Sequence, residues 1–212
     1  MEIICNNELL VLLIERAIYW PRKQVLFLAD MHLGKTGYFR SRGIPIPSTV
    51  MTDDLKRLAV LIEIYQPRTI VVAGDMFHHD YNADIHLFKQ WRASHTDIDF
   101  VLVPGNHDKL MNIDYQDLGI CLTEKNYMME PFLITHHHAK DRGNGFVISG
   151  HIHPGYIITG KARQSYRMAC FIVSEHRMVL PAFSAFTGLY TGYEVSPSDT
   201  YYLIGNDTIF CV

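Results

Sequence analysis

Five short, largely apolar runs give the sequence its strongest pattern, and an Asp, Asn or His follows each within three residues. The runs occupy residues 25–29, 69–73, 100–103, 132–135 and 146–149. Each has four or five residues and no alternation of polar and apolar positions, which is typical of strands covered on both faces. The sequence therefore predicts buried strands whose ends carry polar side chains.

Helical spacing and a change of pattern complete the predicted elements. Apolar residues recur at helical spacing between a start at Thr52 and a stop at Pro67, and a weaker helix is predicted over Ile85–Trp91. Strands alternating with helices predict a right-handed α/β core. After residue 160, short alternating runs predict antiparallel strands and a terminal hairpin. These runs are Ala169–Val173, Arg177–Pro181 and Tyr201–Val212.

Composition limits the class of protein. With 212 residues, of which 48% are hydrophobic, we expect a single domain over residues 1–212 with a substantial core. The net charge of −3 argues against a protein that holds duplex DNA mainly through a basic face. No apolar run approaches the roughly 18 residues of a membrane span, and residues 1–13 lack the features of a signal peptide. We therefore expect a cytoplasmic protein without a membrane partner.

The four cysteines are scattered, with no C-x-x-C pair, so neither a zinc ribbon nor a disulfide framework is predicted. We expect buried, reduced thiols. Histidine is the unusual count, with 12 residues, many of them beside Asp, Asn or Gly.

Side chains of the kinds that bind metal ions or act in catalysis cluster where the predicted strands end. These residues are Asp30, His32, Asp75, Asn106, His107, His136, His151 and His153. In open α/β sheets, ligands bind outside the carboxyl ends of strands, so we expect these side chains to converge. Oxygen and imidazole donors without thiolate suit Mn²⁺, Fe²⁺ or Zn²⁺. The set exceeds what one tetrahedral ion needs, which indicates two ions that share a carboxylate.

A structural explanation exists for any one of these residues. A lone Asp or His at a strand end is more often a helix cap or a satisfied surface group. Burying a polar group at the end of an apolar strand costs free energy unless a partner compensates. Because the same cost recurs at several strand ends in this chain, two metal ions shared by these residues are the favoured explanation.

The segment 34–36, Gly-Lys-Thr, matches the end of a phosphate-binding P-loop, but the first glycine of that motif would be residue 29, which is Ala29. We interpret Lys35, Arg40 and Arg42 as phosphate contacts on a loop beside the metals, with a solvated loop as the alternative. His78 and His79 have two possible interpretations: they contact the substrate, or they are exposed histidines of a loop.

The chain resembles the calcineurin-like metallophosphoesterases through five blocks that occur in order. The blocks are Asp30-x-His32, Gly74-Asp75, Gly105-Asn106-His107-Asp108, His136 and Gly150-His151-x-His153. It is most similar to the bacterial ligase-associated DNA damage response endonuclease branch, the PdeM type. That similarity rests on the segments 15–21, 30–35, 39–47, 180–183 and 186–188.

This resemblance implies a fold and a division of the ligands. The implied fold is α/β, a four-layer αββα sandwich of two mixed sheets, with the largely antiparallel β C-terminal part that the sequence pattern also predicts. One metal would be bound by Asp30, His32 and His153, and the other by Asn106, His136 and His151, with Asp75 as the bridge. Because three histidines stand in a row at 136–138, His138 remains an alternative to His136.

The resemblance also implies catalytic roles. His107 would face the scissile phosphate and stabilise the transition state or protonate the leaving oxygen, with Asp108 tuning it. The nucleophile would be a hydroxide shared by the ions, because a bound divalent ion lowers the pKa of its water. Lys35 and Arg40 would bind the substrate. The cofactors would be two divalent ions, with Mn²⁺ preferred and Fe²⁺, Zn²⁺ or Mg²⁺ as alternatives.

The expected function is hydrolysis of phosphodiesters by a nuclease-like enzyme of DNA repair, with a DNA ligase and a helicase as partners. Since no basic tract is present, the substrate would be single-stranded or delivered by a partner. A small-molecule phosphodiesterase or pyrophosphatase, of the cyclic-nucleotide or UDP-diacylglucosamine type, would use the same residues. A non-enzymatic scaffold is a third possibility, disfavoured because every ligand-type residue is present.

Overall fold

The computed structural model of the protein describes residues 1–47, 49–78, 82–108, 113–137, 145–161, 164–193 and 196–212. Of the candidate residues in the sequence, His79 and His138 lie outside these ranges. Every statement below about what the structure contains applies to the described residues.

The first sheet has seven strands in sequence order, β1 to β7. Its first four strands form an antiparallel meander, whereas β4, β5, β6 and β7 are parallel. The strands are β1 Glu2–Cys5, β2 Glu8–Leu13, β3 Ala17–Trp20, β4 Val25–Leu28, β5 Thr69–Val72, β6 Asp99–Leu102 and β7 Ile120–Leu122. The parallel strands direct their carboxyl ends to one edge.

The second sheet is also mixed. Its order is β15-β14-β12-β13-β10-β9-β8, and β11 pairs with β12 off this path. Strand β10 is parallel to β9 and to β13, and the other pairs are antiparallel. The strands are β8 Asn126–Met129, β9 Phe132–Thr135, β10 Phe146–Ser149, β11 Gly155–Thr159, β12 Ser165–Val173, β13 Arg177–Val179, β14 Thr200–Ile204 and β15 Ile209–Cys211.

Three helices lie within the described residues: α1 Lys35–Ser41, α2 Thr49–Tyr65 and α3 Ala83–Ala93. The long helix α2 has an apolar stripe that includes Leu55, Leu58 and Leu61, and this stripe packs on one face of the first sheet. The side chain of Asn82 caps α3 by accepting a hydrogen bond from the main-chain N–H of Asp84 at 2.9 Å. These helices cover the outer face of the first sheet.

The interior between the two sheets is apolar and rich in aromatic residues. Trp20 and Phe27 of the first sheet contact Phe132 of the second, with ring centroids 4.9 and 6.5 Å from that of Phe132. All three side chains are fully buried. Burial of such side chains is the main driving force that holds the two sheets together.

The α/β sandwich of two mixed sheets and its antiparallel C-terminal part are confirmed. The outer face of the second sheet, however, is covered in the described residues by β11 and neighbouring loops rather than by a helix. The N-terminal meander was not predicted, although Asn6 and Asn7, both with positive φ, form the two-residue turn between β1 and β2 that is typical of a hairpin.

Two local expectations were wrong. The helix predicted from Thr52 begins at Thr49. The segment that contains Lys35 and Arg40 was expected to be a loop, but it forms helix α1 in spite of Gly37. Its short length and its glycine hide the helical period in the sequence.

All four cysteines lie in described parts of the chain and none is in a disulfide. Cys5 and Cys170 are buried as expected, whereas Cys121 and Cys211 are exposed. Among the described residues, no helix has the length and apolar character that crossing a membrane would require.

Candidate metal centre

Loops at the carboxyl ends of five strands bring the candidate ligands together. Asp30 and His32 follow β4, Asp75 follows β5, Asn106 follows β6, His136 follows β9, and His151 and His153 follow β10. The loops after β4 and β5 run side by side, since the main-chain N–H groups of Asp30 and His32 donate to the carbonyls of Gly74 and Asp75 at 2.9 and 3.0 Å. Both sheets therefore contribute to one site.

One group of donors consists of Asp30, His32 and His153. Nε2 of His32 lies 3.2 Å from Nε2 of His153, and the latter atom lies 3.3 Å from Oδ1 of Asp30. Asp30 and His32 are buried. Oδ2 of Asp30 also accepts a hydrogen bond from the main-chain N–H of His151 at 2.9 Å, which joins the two sheets at this point.

A second group surrounds His136. Its Nε2 atom lies 3.1 Å from Oδ1 of Asn106, 3.4 Å from Oδ2 of Asp75 and 3.1 Å from Nδ1 of His151. Nδ1 of His136 lies 3.0 Å from the carbonyl of Ala73. Because a carbonyl only accepts, Nδ1 carries a hydrogen, and Nε2 is the atom that faces the carboxylate, amide and imidazole of the other residues.

The two groups are adjacent. Ligand atoms of Asp30, Asp75 and His136 lie within 4.8 Å of one another, so both carboxylates stand between the groups. The sequence did not predict that Asp30 lies between the two groups, because the family resemblance assigned the bridging role to Asp75 alone.

The backbone at the site adopts conformations that are rare for residues with side chains. Five candidate ligands have positive φ: Asp30 (54°), His32 (47°), Asp75 (51°), His151 (74°) and His153 (52°). Each costs about 1 kcal/mol or more, so the surrounding structure must compensate for it. Such conformations concentrate at functional sites, which marks this edge of the sheets as the site.

Two glycines allow the loops to approach closely. A methyl group at Gly74 would overlap the imidazole of His136, and one at Gly105 would overlap the carboxylate of Asp75. The glycines of the Gly-Asp and Gly-Asn-His-Asp blocks are therefore required by the packing of ligands from neighbouring loops.

Burial and close charges shift the pKa values of the ligands. Burial lowers the pKa of His32 to about 2. Burial favours the neutral acid of Asp75, but the hydrogen bond and charge of His136 outweigh this and lower the pKa of Asp75. Burial also opposes protonation of His136, yet Asp75 raises the pKa of His136. Burial and the charge of His136 lower the pKa of His151. The Asp75 carboxylate therefore stays ionised and needs a cationic partner.

The donor set fits divalent cations. Ring nitrogens of two histidine pairs approach to 3.1 and 3.2 Å, close enough for each pair to share a proton or to bind the same cation. The donors are carboxylate, amide oxygen and imidazole, without thiolate, which suits borderline or hard divalent metals rather than a structural zinc site.

His107 lies beside the first group, as its ring centroid is 5.3 Å from that of His32. His78, for which the sequence left two roles open, belongs to the site: its ring stacks on His107 at 4.7 Å, and its Nδ1 lies 3.4 Å from Nδ1 of His32. His137 was not chosen as a ligand, but its ring lies 4.5 Å from that of His151. His137 directly follows the predicted ligand His136, which is a signal in the sequence, whereas His78 lies three residues after Asp75 and its position depends on how the loops pack.

Asp108 holds two loops together. Its carboxylate accepts hydrogen bonds from the main-chain N–H groups of Phe77 at 2.9 Å and Gly105 at 2.8 Å. Burial raises the pKa of Asp108 to about 6. These contacts indicate a structural role between the loops after β5 and β6, and the expected influence on His107 stays a prediction.

Lys35 and Arg40 have different surroundings. Arg40 Nη2 donates to Oδ1 of the buried Asp84 at 2.6 Å, so its guanidinium is engaged within the fold. Lys35 is half-buried and its Nζ lies 5.8 Å above the ring of Phe186. Lys35 therefore remains the better placed of the two for a substrate.

Comparison with known proteins gives one family and a set of similar structures. The family model described as calcineurin-like phosphoesterase matches residues 23–138. The crystal structure of a nuclease, MPE, from Pseudomonas putida is similar over 100% of this chain and 99% of its own, with a TM-score of 0.83 and 28% sequence identity.

Yfce, a phosphoesterase from E. coli, has a TM-score of 0.44 and 16% identity over 87% of this chain and 90% of its own, a likeness too low to bear on function. No curated protein matches the sequence significantly.

Proposed function

Because this chain belongs to the calcineurin-like phosphoesterase family and is a hydrolase acting on ester bonds, we propose that it cleaves phosphodiesters with the aid of two divalent metal ions. The observation that carries the proposal is the convergence of seven oxygen and nitrogen donors from both sheets into two adjacent groups. A set of this size exceeds the needs of one ion.

Asp30, His32 and His153 would hold one ion, and Asn106, His136 and His151 the other, with Asp75 shared. Bound divalent ions supply water activated at neutral pH and neutralise charge on the phosphate. We assign to His107 the contact with the phosphate or its leaving oxygen, and the support is its ring, which lies 5.3 Å from that of His32. Lys35, and Arg40 if it leaves Asp84, would orient the phosphate.

Mn²⁺ is the metal we propose, with Fe²⁺, Zn²⁺ and Mg²⁺ as alternatives, since the donors exclude none of them. The proposed substrate is a phosphodiester in single-stranded or partner-delivered DNA. Its support is the likeness over the whole chain to a structure called a nuclease, together with the net charge of −3. We further propose that residues 1–212 work as one domain in the cytoplasm.

A place in DNA repair beside a ligase and a helicase is also proposed. The support for these partners is the sequence resemblance to the ligase-associated branch. A pull-down with the full chain as bait tests these partners. We expect it to recover a ligase or helicase of the same organism, and an unrelated bait should recover neither.

The test of the metal proposal compares Asp75→Asn with Asp117→Asn, a carboxylate that pairs with Lys89 on the surface. Chelator-stripped protein is supplied with each metal in turn, and bound metal and hydrolysis of bis-p-nitrophenyl phosphate are measured. We expect two metal equivalents and turnover in the parent and in Asp117→Asn. Asp75→Asn should bind fewer than two equivalents and lose at least about 100-fold in turnover, because its loss affects both groups.

Stripped parent protein that works undiminished, or an Asp75→Asn protein that retains both ions and full turnover, contradicts the proposal. The same proteins are then assayed on a single-stranded oligonucleotide, a cyclic nucleotide and a UDP-linked pyrophosphate. If only the cyclic nucleotide or the UDP-linked pyrophosphate is hydrolysed, the protein is a small-molecule phosphodiesterase or pyrophosphatase and not a nuclease.

A further inference from the structure

Helix α1 presents an unusual surface next to the metal centre. Of its seven residues only Thr36 is buried, while Tyr38 and Phe39 stay partly exposed. An ordinary surface helix does the reverse and buries its apolar side chains. The surface formed by Lys35, Tyr38, Phe39, Arg42 and Phe186 is called the α1 rim below.

The α1 rim is a row of three aromatic rings with a cation at each end. The guanidinium carbon of Arg42 lies 5.2 Å above the ring centroid of Tyr38, and Nζ of Lys35 lies 5.8 Å above that of Phe186. Phe39 joins these pairs, since its ring lies 5.8 Å from Tyr38 and 6.2 Å from Phe186. All these contacts lie within the range of cation–π and aromatic interactions.

The α1 rim is continuous with the metal centre. The ring of Tyr38 lies 6.2 Å from that of His78, which stacks on His107 at 4.7 Å. A row of rings therefore leads from the side chain proposed to face the phosphate to the outer end of α1. A group attached to a phosphate at the metal centre can reach this row.

A row of aromatic rings flanked by cations matches the chemistry of an unpaired nucleotide. Proteins that bind single strands stack bases on aromatic side chains while cations contact the backbone. A duplex has no free base faces, and a net charge of −3 provides little general attraction for its phosphates. The rim has what a stacked base requires.

We propose that the α1 rim binds the base of the nucleotide adjacent to the phosphate at the metal centre, with Tyr38 and Arg42 as the stacking residues. This inference rests on the proposed phosphodiester function and adds to it the residues that contact a base of the single-stranded substrate. Lys35 contacts the backbone phosphate on the side of Phe186.

The test uses the full chain with Mn²⁺ and two labelled oligonucleotides of equal length and phosphate number, both with phosphorothioate linkages that slow cleavage. One carries thymine at each position and the other is abasic. Fluorescence anisotropy is expected to show at least about tenfold tighter binding of the thymine strand, since stacking contributes on this scale for each base.

Tyr38→Ala should reduce this preference to about threefold or less, and Tyr38→Trp should keep it. Arg42→Ala should also reduce it. The matched control is Arg22→Ala, because Arg22 likewise lies over an aromatic ring, 5.5 Å from Trp20, in the turn at the opposite end of β4 from Asp30. Arg22→Ala should keep the parental preference.

Equal binding of the two strands by the parent, or a preference that survives Tyr38→Ala and Arg42→Ala, overturns the inference. Thermal melting followed by circular dichroism identifies a variant that does not fold. If one variant does not fold, the binding data of the parent and of the other variants test the inference. Hydrolysis of bis-p-nitrophenyl phosphate by the same preparations separates the two proposals. Turnover without base preference refutes only the α1 rim, and base preference without turnover refutes only the hydrolytic function.

Discussion

At the scale of single residues, the site depends on glycines as much as on the side chains that are proposed to bind metal. Gly105 lies against the main-chain nitrogen and carboxylate of Asp75, and Gly74 lies against His136. Each glycine stands immediately before a ligand in the sequence and makes room for a ligand from another loop. The positive φ values of five ligands add to this constraint, so the loop backbones hold the donors in position.

Gly105→Ala should therefore disturb a ligand that it does not precede. Its methyl group would displace Asp75, and we expect weaker metal binding and a loss of roughly 10- to 100-fold in turnover. Bound metal and hydrolysis of bis-p-nitrophenyl phosphate are the measurements. Gly145→Ala is the control, since nothing lies within 4 Å of a methyl group there. Parental metal content in Gly105→Ala would show that the loop relaxes freely.

At the scale of elements, Asp84 connects α1 to α3. This buried carboxylate accepts hydrogen bonds from Thr36 Oγ1 at 2.6 Å, from the main-chain N–H of Gly37 at 2.7 Å and from Arg40 at 2.6 Å. Since α1 has only one buried residue, these bonds replace the apolar packing that orients most helices. The position of the α1 rim beside the metal centre therefore depends on α3.

Asp84→Ala should lower the free energy of unfolding by about 3 kcal/mol, because it leaves the donors of a buried network unpaired. Urea unfolding measures this change. Asp53→Ala is the matched control, since the ion pair of Asp53 with Lys56 is exposed and should contribute less than about 1 kcal/mol. Similar losses in both variants would contradict the role given to Asp84.

The sequence predicted those elements whose pattern is regular and local. The buried strands and their polar ends follow from uninterrupted apolar runs, and α3 follows from its period. Helix α1 could not be predicted, because a side chain distant in sequence, Asp84, supplies its stabilising bonds. Likewise, the contact of His78 with His32 and His107 depends on how separate loops pack.

At the scale of the whole molecule, three apolar clusters divide the interior. One lies beneath the helices, one between the sheets and one on the outer face of the second sheet. Cys5 belongs to the middle cluster and Cys170 to the outer one. Burial raises the pKa of Cys5 to about 11 and that of Cys170 to about 12. These two thiols therefore report whether the sandwich is closed.

Titration with Ellman's reagent at pH 8 should modify two thiols rapidly in the native protein, Cys121 and Cys211, which are exposed. The other two should react only in denaturant, because the reactive species is the thiolate and its fraction is small well below the pKa. Raising the pH to 9 should leave this division intact. Rapid reaction of all four thiols in native buffer would indicate that the interior opens readily.

The hydrogen bond from the main chain of His151 to Asp30 joins loops that belong to different sheets, and these loops carry both members of the His153–Asp30 pair. Any sliding of one sheet over the other therefore alters the distances among the donors. Side chains such as Phe132, which fill the space between the sheets, therefore help to set the distances among the proposed metal ligands. Substitution of the aromatic residues between the sheets could therefore change the rate of the proposed reaction without any change in the proposed metal ligands.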